Sequence, residues 1–220
     1  MEGSRARKIH PSTSFQAQIE TRFRNGATIM SERILTVHID TAGFEKLAAR
    51  FRSVGKNIKP ALSRAINHTG DKARTEVARA LVEQTGAKYS AVRKVLKTHR
   101  ASAATLDYRI TATGGFMSLK EFGARQTGKG VSAAPWGKRR VFRHAFIVAS
   151  LGGHVFRRAP GGGPSGLVGR LPILKLWGPA IPREMVKGQS KEAFENTVRA
   201  ELPARIEHEI NAIVTGSVRS

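Results

Sequence analysis

Residues 116–148 read FMSLKEFGARQTGKGVSAAPWGKRRVFRHAFIV, and apolar segments at both ends of this stretch flank a glycine-rich basic loop. Between positions 120 and 145 there are seven Lys or Arg residues and one acid, a net charge of +6. The loop also contains Trp136, an aromatic side chain that is costly to leave in water. A cationic loop with an aromatic tip, held by β-strands, predicts a contact surface.

The whole chain of 220 residues carries a net charge of +22 and contains no cysteine. This length suits one domain with appendages or two small domains. The absence of cysteine excludes disulfides, thiolate zinc sites and a cysteine nucleophile. No apolar run is long enough to cross a bilayer, so no membrane partner is expected. The excess charge predicts a polyanionic partner, and a cationic surface that only maintains solubility is the alternative.

Residues 1–32 show no sustained apolar period and are predicted to form a disordered or weakly ordered extension. An α+β domain is expected over residues 33–216. It begins with a strand over residues 34–40 and a helix over residues 44–51. Because Met30 directly precedes this strand, translation from Met30 is a further hypothesis, and whether residues 1–29 belong to the native product stays open.

Two long helices are predicted from apolar stripes of helical period, over residues 60–83 and 190–214. In the first, Gly70 predicts a kink or a close backbone contact, and Lys72 and Glu76 form an i,i+4 pair. The second carries three basic and five acidic residues. This acidic helix is predicted either to contact the basic face of a neighbouring subunit or to be exposed to solvent. The first stripe comprises Leu62, Ile66, Thr69, Ala73, Val77 and Leu81; the second comprises Ala193, Phe194, Val198, Leu202, Ile206, Ile210 and Ile213.

The remaining elements are mostly strands. Residues 105–112 and 140–148 alternate as strands do, and a Gly-Gly turn predicts a hairpin into residues 154–158. Residues 171–182 are apolar but interrupted by proline, which predicts an edge strand or an extended arm. The predicted fold is therefore α+β: a mostly antiparallel β-sheet packed against a long N-terminal helical segment, with a C-terminal helix and extended loops or arms.

No arrangement of residues indicates catalysis, a cofactor or a metal, so the chain is not expected to be an enzyme. The G-x-G-x-x-G match over residues 161–166 is flanked by proline and no helix follows it. His144 and His154 meet across the predicted hairpin, where ordinary strand residues are the favoured interpretation over a metal pair. A nuclease needs clustered carboxylates, and the strand region offers mainly Asp107 and Glu121.

The candidate site is a set of exposed cations suited to phosphate, facing nucleic acid or the lumen of a ring. A solvated basic strand edge that discourages aggregation is the alternative. Tryptophans are favoured as subunit anchors over stacking platforms for bases. The nucleic-acid candidates are Arg125, Lys129, Lys138, Arg139, Arg140 and Arg143; the subunit-contact candidates are Trp136, Trp177, Leu171 and Ile173.

Several sequence blocks, in their joint spacing, resemble the prophage minor tail protein Z family, the tail-completion proteins of long-tailed phages. The resemblance runs from about residue 34 to residue 214. The blocks are KEFGARQTGKGVSA from residue 120, WGKR from 136, AFI from 145, GHVFRR from 153, RLPI from 170 and LWGPAIP from 176.

The resemblance implies a virion structural protein at the head-proximal end of the tail, needed for head–tail joining and placement of the DNA end. It implies a homo-oligomeric ring in contact with other tail and neck proteins, and no catalytic residues. The expected location is the virion tail, and the host cytoplasm during assembly. A non-specific nucleic-acid-binding protein of the cell is the alternative function, and an enzyme acting on nucleic acid is the third.

Overall fold

The structure is a computed structural model that describes residues 17–23, 31–38, 58–159 and 172–215. The predicted helix over residues 44–51, the glycine-rich run over residues 161–166 and Leu171 lie outside the described residues. Helices and antiparallel sheets together give the α+β fold expected from the sequence. The helices are α1 (Ile58–Thr85), α2 (Tyr89–Val95), α3 (Ile181–Met185) and α4 (Gly188–Val214).

A four-stranded antiparallel sheet has the strand order β1-β2-β4-β3. Its first strand lies within residues 1–32, for which the sequence predicts a disordered or weakly ordered extension; residues 17–23 pair with β2 over their full length. That segment reads AQIETRF, an alternation of apolar or Thr residues with polar ones that suits a strand. The strands are β1 (Ala17–Phe23), β2 (Ser31–His38), β3 (Leu96–His99) and β4 (Asp107–Gly114).

The long helices α1 and α4 pack against each other, and α1 also packs on β4. All six residues of the predicted α1 stripe are buried, which confirms the helical period as the core signal. On α4 the middle of the predicted face is buried, whereas Ala193 and Ile213 are only half-buried. Gly70 lies where a Cβ atom would come within 2.5 Å of the Tyr108 ring, so the predicted close contact is with β4.

Two of the five acidic residues of α4 pair with cations of α1 within the chain. Glu209 accepts a hydrogen bond from Arg64 Nε at 2.8 Å, and Glu201 lies 2.6 Å from Lys72 Nζ. The predicted Lys72–Glu76 pair is therefore wrong, since Glu76 pairs with Arg79 at 2.8 Å. Acids of α4 thus neutralise part of the positive charge of α1 within the same chain. The expected partners of these acids were a neighbouring subunit or solvent.

Two three-stranded antiparallel sheets follow, with orders β5-β6-β7 and β10-β9-β8. The strand predicted over residues 140–148 is wrong as one strand, because His144 at φ 58° separates β7 from β8 and sends them into different sheets. The strands are β5 (Arg125–Thr127), β6 (Gly130–Ala133), β7 (Arg140–Arg143), β8 (Ala145–Val148), β9 (His154–Arg158) and β10 (Ile173–Lys175).

The predicted hairpin between β8 and β9 is confirmed, with Gly152 and Gly153 both at positive φ in its turn. Its register pairs Val148 with His154, so His144 and His154 lie at opposite ends and do not meet. Strand β10 is an edge strand, as predicted for the start of residues 171–182, while the end of that segment forms the first turn of α3.

A basic sheet face as the candidate functional site

The charge of this protein is concentrated in an acid-free run. Residues 122–183 contain eleven Lys or Arg residues and no Asp or Glu, so they supply half of the net charge of +22. The run encloses the two small sheets, from β5 to β10, and extends well beyond the basic loop that ends near Ala145. An acid-free run leaves no local carboxylate to neutralise these cations.

The register of β5, β6 and β7 brings part of this charge to one face. Arg125, Ser132 and Val141 lie opposite one another across the three strands, and Arg143 lies two residues beyond Val141 on β7. Because side chains alternate along a strand, these residues share one face of the sheet. Val141 is 48% exposed, and both arginines are exposed, so this face points to solvent.

Arg139 reaches the same face from the residue before β7. Its Nη1 donates to Ser132 Oγ at 3.2 Å and to the Gly123 carbonyl at 3.3 Å. A guanidinium has five N–H donors, so these two hydrogen bonds orient the group and leave further donors for a ligand. Arg125, Arg139 and Arg143 are called the basic face from this point.

The other three cation candidates do not join this group in the same way. Lys129 lies in the turn between β5 and β6, and Lys138 precedes Arg139; both are exposed. Arg140 belongs to the opposite side of the sheet, where it lies 4.9 Å from the centroid of the Phe142 ring. The structure thus brings three of the six candidates together and separates Arg140 from them.

None of these six cations forms an ion pair within the part of the chain that the structure describes. The ion pairs found there involve residues of α1, α3 and α4, or lie around β4. Like charges on one face of a sheet repel each other, and salt screens exposed charges over about 8–10 Å. A bound polyanion relieves that repulsion and releases its own counter-ions.

Three of the four subunit-contact candidates belong to the described residues, and all three are exposed. Trp136 is 49% exposed and adopts the left-handed conformation at φ 56°, which is strained for a bulky residue. Trp177 is 53% exposed, with Lys175 Nζ 4.5 Å from the centroid of its ring. Ile173 on β10 is 40% exposed.

Sequence reasoning missed Leu174, which is 49% exposed beside Ile173 on β10. Adjacent strand residues point to opposite faces, so both faces of this short strand expose an apolar side chain. The available signal was the apolar run LPIL over residues 171–174. A strand with one buried and one solvated face alternates apolar and polar residues. This run does not alternate, so it does not predict such a strand.

Ser118 and His154 form the closest approach to a catalytic pair. Ser118 Oγ lies 2.7 Å from His154 Nδ1. Burial, then the charges of Lys175 and Lys120, lowers the pKa of His154, which favours the neutral ring. Among the described residues no carboxylate hydrogen-bonds to the imidazole, and Ser118 is buried, so the pair lacks an orienting acid and an accessible nucleophile.

No group of three or more possible metal ligands occurs in the described ranges. No helix among those residues has the length and apolar character needed to cross a bilayer. No known protein family, curated protein or solved structure matches the chain. The function is therefore inferred from the charge, the exposed apolar residues and the resemblance noted in the sequence.

Proposed function

We propose that this chain is a structural protein of a phage particle, a minor tail or tail-completion protein that acts without catalysis. It works at the head-proximal end of the tail, in head–tail joining and in positioning the DNA end. Its locations are the virion tail and, during assembly, the host cytoplasm. The observation that carries the proposal is the exposed apolar edge of the β8–β10 sheet, and the sequence blocks that resemble the tail protein family support it.

Strand β10 is one edge of this sheet and pairs only with β9 within the described residues, while β8 forms the other edge. Ile173 and Leu174 on β10 expose 40% and 49% of their surface, and Trp177, two residues beyond β10 and bridged to Ser118, exposes 53%. An open edge with apolar side chains promotes association unless another chain covers it. In a ring of identical subunits, each subunit covers the β10 edge of its neighbour. We propose this assembly.

The basic face supports contact with DNA. Its cations are exposed and unpaired with acids among the residues described, which suits phosphate oxygens. Such contacts position a duplex without reading its sequence. Binding of this kind weakens steeply with salt, because each neutralised phosphate releases counter-ions. A ring around a DNA end of any sequence can use contacts of this kind.

The experiment that tests the proposal is complementation of a particle-producing strain from which this gene is deleted. Heads and tails are counted by electron microscopy, with joining scored as the fraction of heads that carry a tail. We expect joining to be lost without the chain and restored by the wild type. The double variant Ile173→Gln/Leu174→Gln should not restore it, whereas Leu151→Gln/Val214→Gln, at two other exposed apolar positions, should. Normal joining in the deletion strain would contradict the proposal.

The second candidate function, a non-specific nucleic-acid-binding protein of the cell, is favoured by the same basic face. It predicts a monomer that binds DNA or RNA and is absent from purified particles. Mass spectrometry of particles separated on a density gradient distinguishes the two, since a structural subunit is present in a fixed number per particle.

A further inference from the structure

A pocket that plays no part in the proposed function opens between α1, α2 and β3. Its volume is about 260 Å³. It lies on helices and on the edge of the large sheet, and shares no residue with the basic face or with β10. Its lining consists of Arg74, Thr75, Ala78, Tyr89, Arg93 and Leu96.

Helical spacing builds this pocket. Arg74 and Ala78 are four residues apart on α1, and Tyr89 and Arg93 are four residues apart on α2, so each pair shares a helix face. The Arg93 guanidinium lies 6.0 Å from the centroid of the Tyr89 ring. Leu96, at the start of β3, is 3% exposed, and Ala78 is 2% exposed. Ala78 and Leu96 therefore close the bottom of the pocket, while the Tyr89 ring and the two arginines provide its exposed surface.

Two carboxylates of α1 near the pocket already have partners. Asp71, one helical turn before Arg74, binds Arg100 and accepts a hydrogen bond from the Tyr108 hydroxyl at 2.8 Å. Glu76 pairs with Arg79 at 2.8 Å.

Arg74 and Arg93 consequently form no ion pair with the residues that the structure describes. The pocket lining itself contains no acid. Two guanidinium groups without a counter-charge border one cavity, and Coulomb repulsion between them is relieved by an anionic group placed there.

We propose that this pocket binds the carboxylate of an acidic side chain from a partner protein, with a neighbouring apolar side chain of that partner against the exposed ring of Tyr89. Guanidinium groups bind carboxylates through paired, charge-assisted hydrogen bonds. Small-molecule pockets usually have volumes of about 300–1,000 Å³, so this smaller cavity suits one or two side chains. A nucleic-acid backbone favours an extended run of cations, which the basic face offers and this concave site does not. The assignment stands independently of the proposed virion role.

The test uses the full chain and the blocked dipeptide acetyl-Leu-Glu-amide, titrated calorimetrically at low salt. The comparison probes are acetyl-Leu-Gln-amide and inorganic phosphate. The pocket variant is Arg74→Gln/Arg93→Gln, and Lys59→Gln/Lys88→Gln removes the same charge at exposed positions outside the lining. We expect the Glu dipeptide to bind the wild type, and its dissociation constant to rise at least about tenfold in the pocket variant because the charge-assisted hydrogen bonds are removed. The control should retain the wild-type affinity within about twofold, as expected for screened charges outside the site.

A further variant, Arg74→Lys/Arg93→Lys, keeps the charge but loses the planar paired geometry, and we expect it to bind more weakly than the wild type. Thermal melting of each variant should match that of the wild type. The proposal is overturned if the Glu dipeptide does not bind, if the Gln dipeptide binds equally well, or if phosphate binds more tightly. An equal loss of affinity in the Lys59/Lys88 control would also overturn it, because bulk charge alone would then account for binding.

Discussion

At the scale of single residues, Gly70 shows how the helix layer and the sheet are fitted together. The helix passes so close to β4 that a Cβ atom at this position would lie 2.5 Å from two atoms of the Tyr108 ring. That ring cannot easily move, because Tyr108 is fully buried and its hydroxyl donates to Asp71. Burial, followed by the hydrogen bond to Asp71 and its negative charge, raises the pKa of Tyr108, so the phenol stays protonated and the hydrogen bond persists.

We therefore predict that Gly70→Ala destabilises the protein, although alanine is the better helix former by about 1 kcal/mol. Overpacking against a fixed ring should outweigh that gain and lower the free energy of unfolding by about 2 kcal/mol. Urea denaturation measures this change. The control is Gly128→Ala, where an added Cβ meets no atom within 4 Å. A Gly70→Ala protein as stable as the wild type would contradict the packing described.

Glu209 is a second residue whose surroundings give a measurable consequence. It is 6% exposed and lies between Arg64 Nε at 2.8 Å and Arg205 Nη2 at 2.6 Å. Burial acts to raise the pKa of Glu209, but the hydrogen bond from Arg64 and the charges of both arginines outweigh it and hold the pKa below its ordinary value of 4.5. A carboxylate with a lowered folded-state pKa stabilises the protein above pH 4.5, and this contribution is lost as the pH falls through the folded-state pKa.

Glu209→Gln should lower the free energy of unfolding at pH 7 by about 1–3 kcal/mol, through loss of hydrogen bonds to a charged acceptor. The difference between wild type and variant should be constant from pH 7 down to about 5 and should shrink as the pH falls further. Urea unfolding measured between pH 7 and pH 3 tests this dependence. A difference that grows on acidification would show that the sign of the pKa shift is wrong.

At the scale of elements, the β5–β7 sheet brings basic residues that are separated in sequence to one face. Its outward face depends on the register that places Arg125 and Arg143 on the same side, while Arg140 faces away. Sheet geometry thus distinguishes cations that act together from cations that are only close in sequence.

This arrangement predicts a specific change in DNA binding. Arg125→Gln/Arg143→Gln should reduce the slope of log affinity against log salt by about 0.9 for each phosphate that is no longer neutralised, or nearly 2 in total. Fluorescence anisotropy with a duplex oligonucleotide at several salt concentrations provides the measurement. The matched control, Lys59→Gln/Lys94→Gln, removes two exposed cations from helices and should leave the slope almost unchanged. Equal effects of the two variants would contradict a dedicated basic face.

Strand β10 gives the corresponding prediction for assembly. If the chain assembles as proposed, Ile173→Gln/Leu174→Gln should leave it monomeric, because these side chains lie on the edge strand β10. Both residues are substantially exposed, so the free energy of unfolding should change by about 1 kcal/mol or less. Analytical ultracentrifugation measures the assembly state, with Leu151→Gln/Val214→Gln as the control that stays oligomeric. A wild-type chain that is monomeric at micromolar concentration would contradict the edge as an assembly surface.

The elements that could be predicted well from the sequence are those with long or strongly marked patterns. The stripe from Leu62 to Leu81 repeats over several turns, and the Gly152-Gly153 turn marks its hairpin directly. Short elements were harder to predict. Strands β5 and β6 have three and four residues, too few to show a period, and the break at His144 depends on a positive φ that the sequence does not specify for histidine.

The candidate site shows the same limit. Its residue types and its general location could be predicted from the density of Lys and Arg around position 139, because charge is a property of composition. The sequence could not predict which cations share a face of the sheet, because a shift of one residue in register moves every side chain to the other face. The pairing of α4 acids with Arg64 and Lys72 was equally hidden, since it depends on how two helices distant in sequence pack.

At the scale of the whole molecule, the charge is unevenly distributed. Between α1 and α4, acids meet cations, as in the Arg64–Glu209 and Lys72–Glu201 pairs. The small sheets lie in an acid-free run with half of the net charge. The two long helices form ion pairs with each other, whereas the cations of the small sheets form none among the described residues. The ring that we propose places the apolar edges between subunits and these cations toward DNA.

The measurement that tests the proposed role most directly is an electron cryomicroscopy reconstruction of the head–tail junction of the particle. We predict a ring of this chain at the head-proximal end of the tail, with β10 at the contact between neighbouring subunits and Arg125, Arg139 and Arg143 toward the DNA path. A junction that lacks this chain, or a ring with the basic face turned away from the DNA and β10 exposed to solvent, would contradict it.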